Sequence, residues 1–177
     1  MRKHTPFALL LLLAALLFCT VPATAQAPQG FVAEYLQQLD DLQTKIVGLA
    51  EAMPEAKYTW RPEAGVRSVG EVYTHIADSN SGLPKILGAP AAAAPTERKT
   101  KAEIVASLKE SFAALRAAAQ KLPDTDMDKP IKLPGRTLSE RALLIRNLGH
   151  LHEHLGQSIA YARTNGVTPP WSQKTGD

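Results

Sequence analysis

The chain has 177 residues, with 20 Lys and Arg against 17 Asp and Glu, and a single cysteine at position 19. This near balance of charge, without a basic stripe, argues against a nucleic-acid-binding protein. A chain with one cysteine can form no internal disulfide, so the fold must be stabilised by an apolar core or by a metal ion.

The N-terminal segment has the features of a secretory signal peptide. Two basic residues are followed by an apolar run from Phe7 to Phe18, and then by the small-x-small cleavage pattern at Ala23 and Ala25. An apolar run of about 12 residues is too short for a stable transmembrane helix. We therefore predict a cleavable signal peptide over residues 1–25, with an uncleaved anchor as the alternative.

Cleavage would leave a mature domain over residues 26–177, of roughly 150 residues, which is a typical size for one domain. It would also remove Cys19 and bring the formal charge from +3 close to neutrality. The expected location is the periplasm or the extracellular space, with no stable membrane span after cleavage.

Four helical segments are predicted in the mature chain, separated by connections that contain Pro and Gly. The first runs from about Gly30 to Met53, with apolar residues recurring at intervals of three and four. A second helix begins at a capping box formed by Ser68 and Glu71, and Pro84 is expected to kink or end it.

The third helix is predicted to begin at a capping box formed by Thr100 and Glu103 and to end before Pro123. The next residues, 124–135, are expected to form an ordered loop across the surface of the bundle. This loop carries acidic residues, two prolines and a glycine.

The fourth and longest helix is predicted to begin at a third capping box, Thr137 to Glu140, and to run to about Thr164. No segment alternates with the period of two that is typical of half-buried strands, so β-structure is not expected. The predicted fold class is all-α, a four-helix bundle of the up-down type that follows the signal peptide.

Three histidines are candidates for a metal site. His150 and His154 are four residues apart on the fourth helix, which places both rings on one face as for two neighbouring metal ligands. His152 lies about 200° around the helix from His150 and cannot join them. His75, on or near the inward face of the second helix, is the remaining candidate for a third ligand. Spacing alone leaves hydrogen-bonded core histidines as the alternative.

The sequence around these histidines resembles the DinB-like superfamily. Residues 66–78, which end in His-Ile-Ala-Asp, resemble its second-helix signature, and residues 150–157 resemble its His-x-x-x-His-x-Gly-Gln signature. Residues 58–62, Tyr-Thr-Trp-Arg-Pro, resemble the approach to the second helix. One departure is Leu155, where relatives often carry Arg or Lys.

This resemblance implies a DinB-like four-helix bundle in which His75, His150 and His154 bind a divalent metal ion. Zinc, nickel, copper and iron all accept histidine ligands, so the sequence leaves the metal open. Asp78 and Gln157 each follow a predicted ligand by three residues, and we expect them to orient the imidazoles. The alternatives are an ion pair for Asp78 and a hydrogen bond across a helix interface for Gln157.

Three imidazoles leave coordination positions of the ion open, and an open ion can polarise a carbonyl group or acidify water. The sequence therefore favours a metal-dependent hydrolase or transferase that acts on a small molecule. The alternative is a non-catalytic bundle that binds a metal or another ligand. The catalytic residues are unknown: Asp78 and Glu153 are candidate bases by type only, and Glu153 is expected to point away. A homodimer that buries an apolar helix face is compatible with this pattern.

Overall fold

A computed structural model describes residues 29–90 and 98–173, and the predicted signal peptide lies outside them. Within these residues, four α-helices form a bundle and a short antiparallel hairpin precedes the last helix. The elements are α1 (Phe31–Ala52), α2 (Val69–Ile86), α3 (Lys101–Ala119), β1 (Pro130–Leu133), β2 (Arg136–Ser139) and α4 (Glu140–Thr164). None of the described helices combines the length and apolar character that a membrane span requires.

The helices pack around a core made by the apolar faces that the sequence pattern predicts. Burial in α1 recurs at intervals of three and four, at Tyr35, Leu39, Leu42, Ile46 and Leu49. Large, fully buried side chains come from all four helices and from the segment before the hairpin, namely Tyr35, Leu39, Leu42, Ile46, Leu49, Met53, Tyr73, Ile76, Leu108, Phe112, Leu115, Met127, Leu144 and Leu151. The all-α prediction is therefore confirmed for the four helices.

Both α2 and α3 begin at the end of the bundle where α1 finishes. The Tyr58 hydroxyl donates to the carbonyl of Ala50, and the amide of Gly70, at the start of α2, donates to the carbonyl of Tyr58. At the start of α3, the ammonium of Lys101 donates to the carbonyl of Met53 at 2.7 Å. Both helices consequently run antiparallel to α1.

The fourth helix begins at the opposite end, beside the start of α1, where the Arg141 guanidinium lies 4.9 Å from the centre of the Phe31 ring. The main packing pairs are α1 with α3 and α4, and α2 with α3 and α4. The bundle is therefore up-down-down-up, with α1 diagonal to α2, and differs from the simple up-down alternation that the sequence favoured.

Two of the three predicted capping boxes are present, at Ser68 with Glu71 and at Thr100 with Glu103. The third prediction is wrong. Ser139, and not Thr137, caps α4, and its side chain accepts a hydrogen bond from the amide of Ala142 at 3.1 Å. Thr137 lies in β2, where strand pairing holds the backbone extended and removes it from the helix.

The hairpin also corrects the expectation of a loop without β-structure over residues 124–135. In β1 the side chains alternate between exposed and half-buried positions, so the period of two is present but covers only four residues. The turn contains Gly135 with φ +75°, a conformation that favours glycine. Such short strands give too few residues for the pattern to stand out in a sequence.

Pro84 does not end α2. It lies in the last turn of the helix, which continues to Ile86. At this position the missing amide removes only one backbone hydrogen bond close to the end of the helix. The segment from Gly88 to Pro95, whose Ala and Pro content predicts a loop, lies only partly in the described residues.

Candidate metal centre

The antiparallel packing of α2 against α4 brings the three candidate histidines together. Nε2 of His75 lies 3.0 Å from Nε2 of His150, and one ring nitrogen from each of His75, His150 and His154 lies within 4.8 Å of the others. The ring centres are 4.5–5.1 Å apart and the rings are steeply inclined to one another. The described residues therefore contain a three-histidine cluster that can hold a metal ion.

The donor set fits a divalent ion. Two nitrogens bound at the usual zinc distance to one tetrahedral ion lie roughly 3.4 Å apart. In the cluster, the nitrogens of His75 and His150 are 3.0 Å apart, and no separation between the three ligand nitrogens exceeds 4.8 Å, so the observed range includes this value. Among the described residues, no Cys, Asp or Glu joins the three histidines as a fourth potential ligand. A bound ion would therefore have positions free for water or another molecule.

Burial favours the neutral form of His75 and His150, the form that donates an electron pair to a metal ion. His154 is only 6% exposed, and His75 and His150 are half-buried. Burial lowers the pKa of His150 to about 4, and the neighbouring His154 and His75 contribute in the same direction. The pKa of His75 is also lowered, first by burial and then by the positive charge of Arg67.

A chain of hydrogen bonds fixes the orientation of His154. With its proton on Nδ1, His154 donates to Oε1 of Gln157 at 2.9 Å, which leaves Nε2 free to face the cluster. Nε2 of Gln157 then donates to the Tyr161 hydroxyl at 3.1 Å, which donates to the backbone carbonyl of Arg67. Gln157 thus contacts His154 directly, and through Tyr161 the chain also ties α4 to the segment that leads into α2.

The hydroxyl of Tyr161 takes part in this chain as acceptor and donor. Its ring is also buried in the core, where Trp60 packs edge-on with the ring centres 5.2 Å apart. The spacing of four residues from Gln157 to Tyr161 was the available signal, because such a pair lies on one face of a helix.

Asp78 makes the ion pair that was the alternative to a contact with histidine. One of its carboxylate oxygens accepts from the guanidinium of Arg98 at 2.8 Å, and the Arg98 side chain is almost wholly buried. The negative charge of Asp78 raises the pKa of His75 slightly against the effect of burial. No hydrogen bond joins Asp78 to a histidine within residues 29–90 and 98–173, so the predicted orienting role lacks a supporting contact.

The other two polar residues of this stretch of α4 differ in position. His152 is exposed and lies outside the cluster, as expected from its angle on the helix. Glu153 is exposed but lines the same cavity as His150. Its negative charge raises the pKa of both His75 and His150 against the effect of burial. It therefore faces the site, contrary to the sequence-based expectation.

Two cavities flank the histidine cluster. The α2–α4 cavity has a volume of about 470 Å³, and its lining includes Leu83, Leu143, Arg146, Asn147, His150 and Glu153. The α2–α3 cavity, of about 390 Å³, is lined on the other side by residues that include Glu71, His75, Asp78 and Arg98. Small-molecule sites in proteins commonly have volumes in this range.

A buried polar network lies beneath the α2–α4 cavity. The hydroxyl of Tyr35 donates to Oδ1 of Asn147 at 2.8 Å, and Nδ2 of Asn147 makes a long contact of 3.4 Å with Oδ1 of Asn80. Nδ2 of Asn80 is buried without a hydrogen-bond partner in the described residues. Burial raises the pKa of Tyr35 well above its usual range, so its hydroxyl stays protonated as a donor.

Comparisons with known proteins agree with the fold and the site. The sequence model of the DinB superfamily matches residues 38–158, which include all three histidines. The chain therefore belongs to the DinB superfamily. A comparison with curated proteins gives no significant match.

Two crystal structures of DinB-like proteins share the fold. One, from Bacillus subtilis, is 21% identical, with a TM-score of 0.66, and the alignment covers 81% of this chain and 99% of that one. The other, from Bacillus cereus ATCC 10987, is 18% identical, with a TM-score of 0.69 and coverage of 77% and 93%. At these identities the similarity establishes the fold.

Proposed function

We propose that this protein is an exported member of the DinB superfamily that binds a divalent metal ion through His75, His150 and His154. We further propose that it acts on a small molecule as a metal-dependent hydrolase or transferase. The observation that carries the proposal is the meeting of three imidazoles from two helices beside open cavities.

Each residue of the site would have a separate role. The three imidazoles would hold the ion, and Gln157 would keep the proton of His154 on Nδ1 so that Nε2 faces the cluster. The bound ion would polarise a substrate carbonyl or phosphoryl group, or acidify a water molecule. The cavity that includes His150 would place the substrate next to the cluster.

A non-catalytic role is the second candidate, and one observation favours it. Glu153 lines the cavity beside His150, but no carboxylate in the described residues makes a hydrogen bond to the histidine cluster. A base that already contacts the site is therefore missing. In this alternative the ion stabilises the bundle, or the cavity binds a ligand without converting it.

Metal analysis of the purified protein tests the binding proposal. We expect about one equivalent of a divalent metal in the wild type and a large loss in His75→Ala and His150→Ala. His152→Ala is the matched control, because this exposed histidine lies on α4 outside the cluster and its loss should leave the metal content unchanged. A wild type with less than about a tenth of an equivalent would refute metal binding by the three imidazoles.

Chelation then separates the two roles. If the ion serves mainly to stabilise the bundle, its removal should lower the melting temperature strongly. A catalytic ion should leave the folded state nearly as stable, and a screen of esters, amides and phosphoesters should reveal turnover that His150→Ala lacks and His152→Ala retains. Turnover that persists in His150→Ala would exclude catalysis at this site.

Export is proposed from the sequence of residues 1–25 alone. Expression of the full chain in a bacterial host should give a processed protein in the periplasm or medium whose sequence begins at Gln26. Replacing the small residue at the cleavage site, Ala25→Phe, should block processing. An unprocessed wild-type chain in the cytosol would contradict the proposal.

A further inference from the structure

The α2–α4 cavity combines apolar walls with a cation that forms no ion pair with any of the described residues. Leu83 and Leu143 line it from facing helices, and Asn147, which is 4% exposed, supplies a polar group. Arg146 also lines it, and none of the ion pairs among the described residues includes this guanidinium.

The α2–α3 cavity, whose lining also includes Lys99, offers no guanidinium that lacks an ion-pair partner among the described residues. Its Arg98 is paired with Asp78 and its Glu71 is paired with Arg61 and also completes the capping box of α2. Both charged groups therefore already have an ion-pair partner within the protein. A charged ligand would have to break one of these pairs in order to bind there, whereas the guanidinium of Arg146 needs no such exchange.

The charges on α4 also give the α2–α4 cavity a positive end at Arg146 and a negative end at Glu153. Arg146 precedes His150 by four residues and Glu153 follows it by three, so all three lie on one side of the helix. Arg146 and Glu153 are seven residues apart, which corresponds to about 10 Å along the helix axis. An anionic group beside Arg146 would therefore be remote from the carboxylate of Glu153.

From this arrangement we propose that the α2–α4 cavity binds a small carboxylate with an apolar body. The carboxylate pairs with Arg146, whose planar guanidinium suits two parallel hydrogen bonds, and the apolar body contacts Leu83 and Leu143. Because His150 lines the same cavity, the bound molecule lies against the histidine cluster. This inference rests on the proposed function in naming the class of its small-molecule substrate.

Binding of 4-phenylbutyrate, compared with its neutral amide 4-phenylbutyramide, tests the proposal. Affinities would be measured by calorimetry or ligand-observed NMR on the purified protein, with metal and after chelation. We expect the wild type to prefer the acid by at least about fivefold, the contribution of one well-placed ion pair. Arg146→Gln should lose this preference while its affinity for the amide stays unchanged.

Two further variants complete the test. Arg163→Gln is the matched control, because Arg163 is an exposed arginine near the end of the same helix and does not line the cavity. It should behave as the wild type. Leu83→Ser should weaken the acid and the amide alike, and circular dichroism would verify that each variant is folded.

The outcomes separate this inference from the proposed function. Equal binding of acid and amide to the wild type, or equal loss of the preference in Arg146→Gln and Arg163→Gln, would overturn the carboxylate proposal even in a protein that holds metal. A protein without metal would refute the proposed function, yet a preference for the acid that depends on Arg146 after chelation would still support the carboxylate site.

Discussion

Replacing Gln157 by leucine tests whether the hydrogen-bond chain behind His154 prepares the cluster for a metal ion. The two side chains are similar in size, so the substitution removes polar contacts with little change in packing. It takes away the acceptor 2.9 Å from Nδ1 of His154 and the donor 3.1 Å from the hydroxyl of Tyr161. Because His154 is 6% exposed, its Nδ1–H would be left almost without water.

Two separate effects should follow. Leaving a buried donor unpaired costs about 1–3 kcal/mol, so the free energy of unfolding of the metal-free protein should fall by roughly that amount. The ring of His154 would also lose its fixed tautomer, and the loss of such supporting contacts typically weakens metal binding about 10–100-fold. Urea unfolding after chelation measures the first effect, and a competition titration with a metal chelator measures the second.

Tyr161→Phe is the matched control for this prediction. It removes both hydrogen bonds of the Tyr161 hydroxyl, the one from Gln157 and the one to the carbonyl of Arg67, and leaves the contact between Gln157 and His154 in place. It should reduce the stability by about 1 kcal/mol and leave metal affinity nearly unchanged. If Gln157→Leu binds metal as tightly as Tyr161→Phe does, Gln157 has no part in preparing the site.

Four further predictions concern the ends of the helices. Asp124 accepts from the amide of Val32 and so caps α1, and Asp124→Ala should lower the free energy of unfolding by about 1 kcal/mol in urea titration. Gly30→Ala should cost more than that, since the added Cβ would collide with the Asp124 carboxylate at a backbone φ of +88°. Ser139→Ala should cost about 1 kcal/mol and Thr137→Ala clearly less, and equal losses would contradict the cap assigned to α4. The pKa of Glu71 is lowered, first by its bond from the Ser68 amide, so its charge stabilises the fold above the ordinary pKa of about 4.3 and loses that effect as pH falls through the lowered pKa. The stability difference between the wild type and Glu71→Gln should therefore shrink as pH falls from 6 to 3, and a constant difference would exclude this origin.

The sequence predicted the helices well because their signals are local. Ser68 with Glu71 and Thr100 with Glu103 are complete capping boxes within four residues, and both are present in the structure. Thr137 with Glu140 has the same spacing, but pairing of β2 with β1 decides the backbone there. The direction of the helices is set by contacts such as that of Lys101 with Met53, which join distant parts of the chain and leave no periodic pattern.

The candidate site could be predicted as far as helix geometry determines it. Spacing placed His150 beside His154 and excluded His152, because these relations lie within one helix. The addition of His75 required the neighbouring sequence and its resemblance to a family, since pairing of α2 with α4 is a property of the whole fold. The sequence does not indicate a role for Arg146, although this residue precedes His150 by one helical turn. Only the structure reveals that both line one cavity.

Asp78 and Gln157 illustrate the limit of such spacing arguments. Each follows a histidine by three residues, yet Gln157 contacts His154 and Asp78 pairs with Arg98. Gln157 is half-buried, and its longer side chain has few polar partners other than the adjacent ring and Tyr161. Asp78 is exposed, and an arginine from the segment before α3 lies within its reach. The difference comes from what packs against each helix.

This difference gives the cluster two unlike sides. His154 is buried and held from behind by Gln157, whereas the half-buried His150 and His75 each line a cavity. A molecule from solvent therefore reaches the cluster past His150 or His75 and not past His154. Of these two approaches, only the one beside His150 carries a guanidinium, that of Arg146, without an ion-pair partner in the described part of the chain. An anionic molecule should consequently arrive from the side of α4, and substitutions at Arg146 should alter its affinity more than substitutions at Arg98.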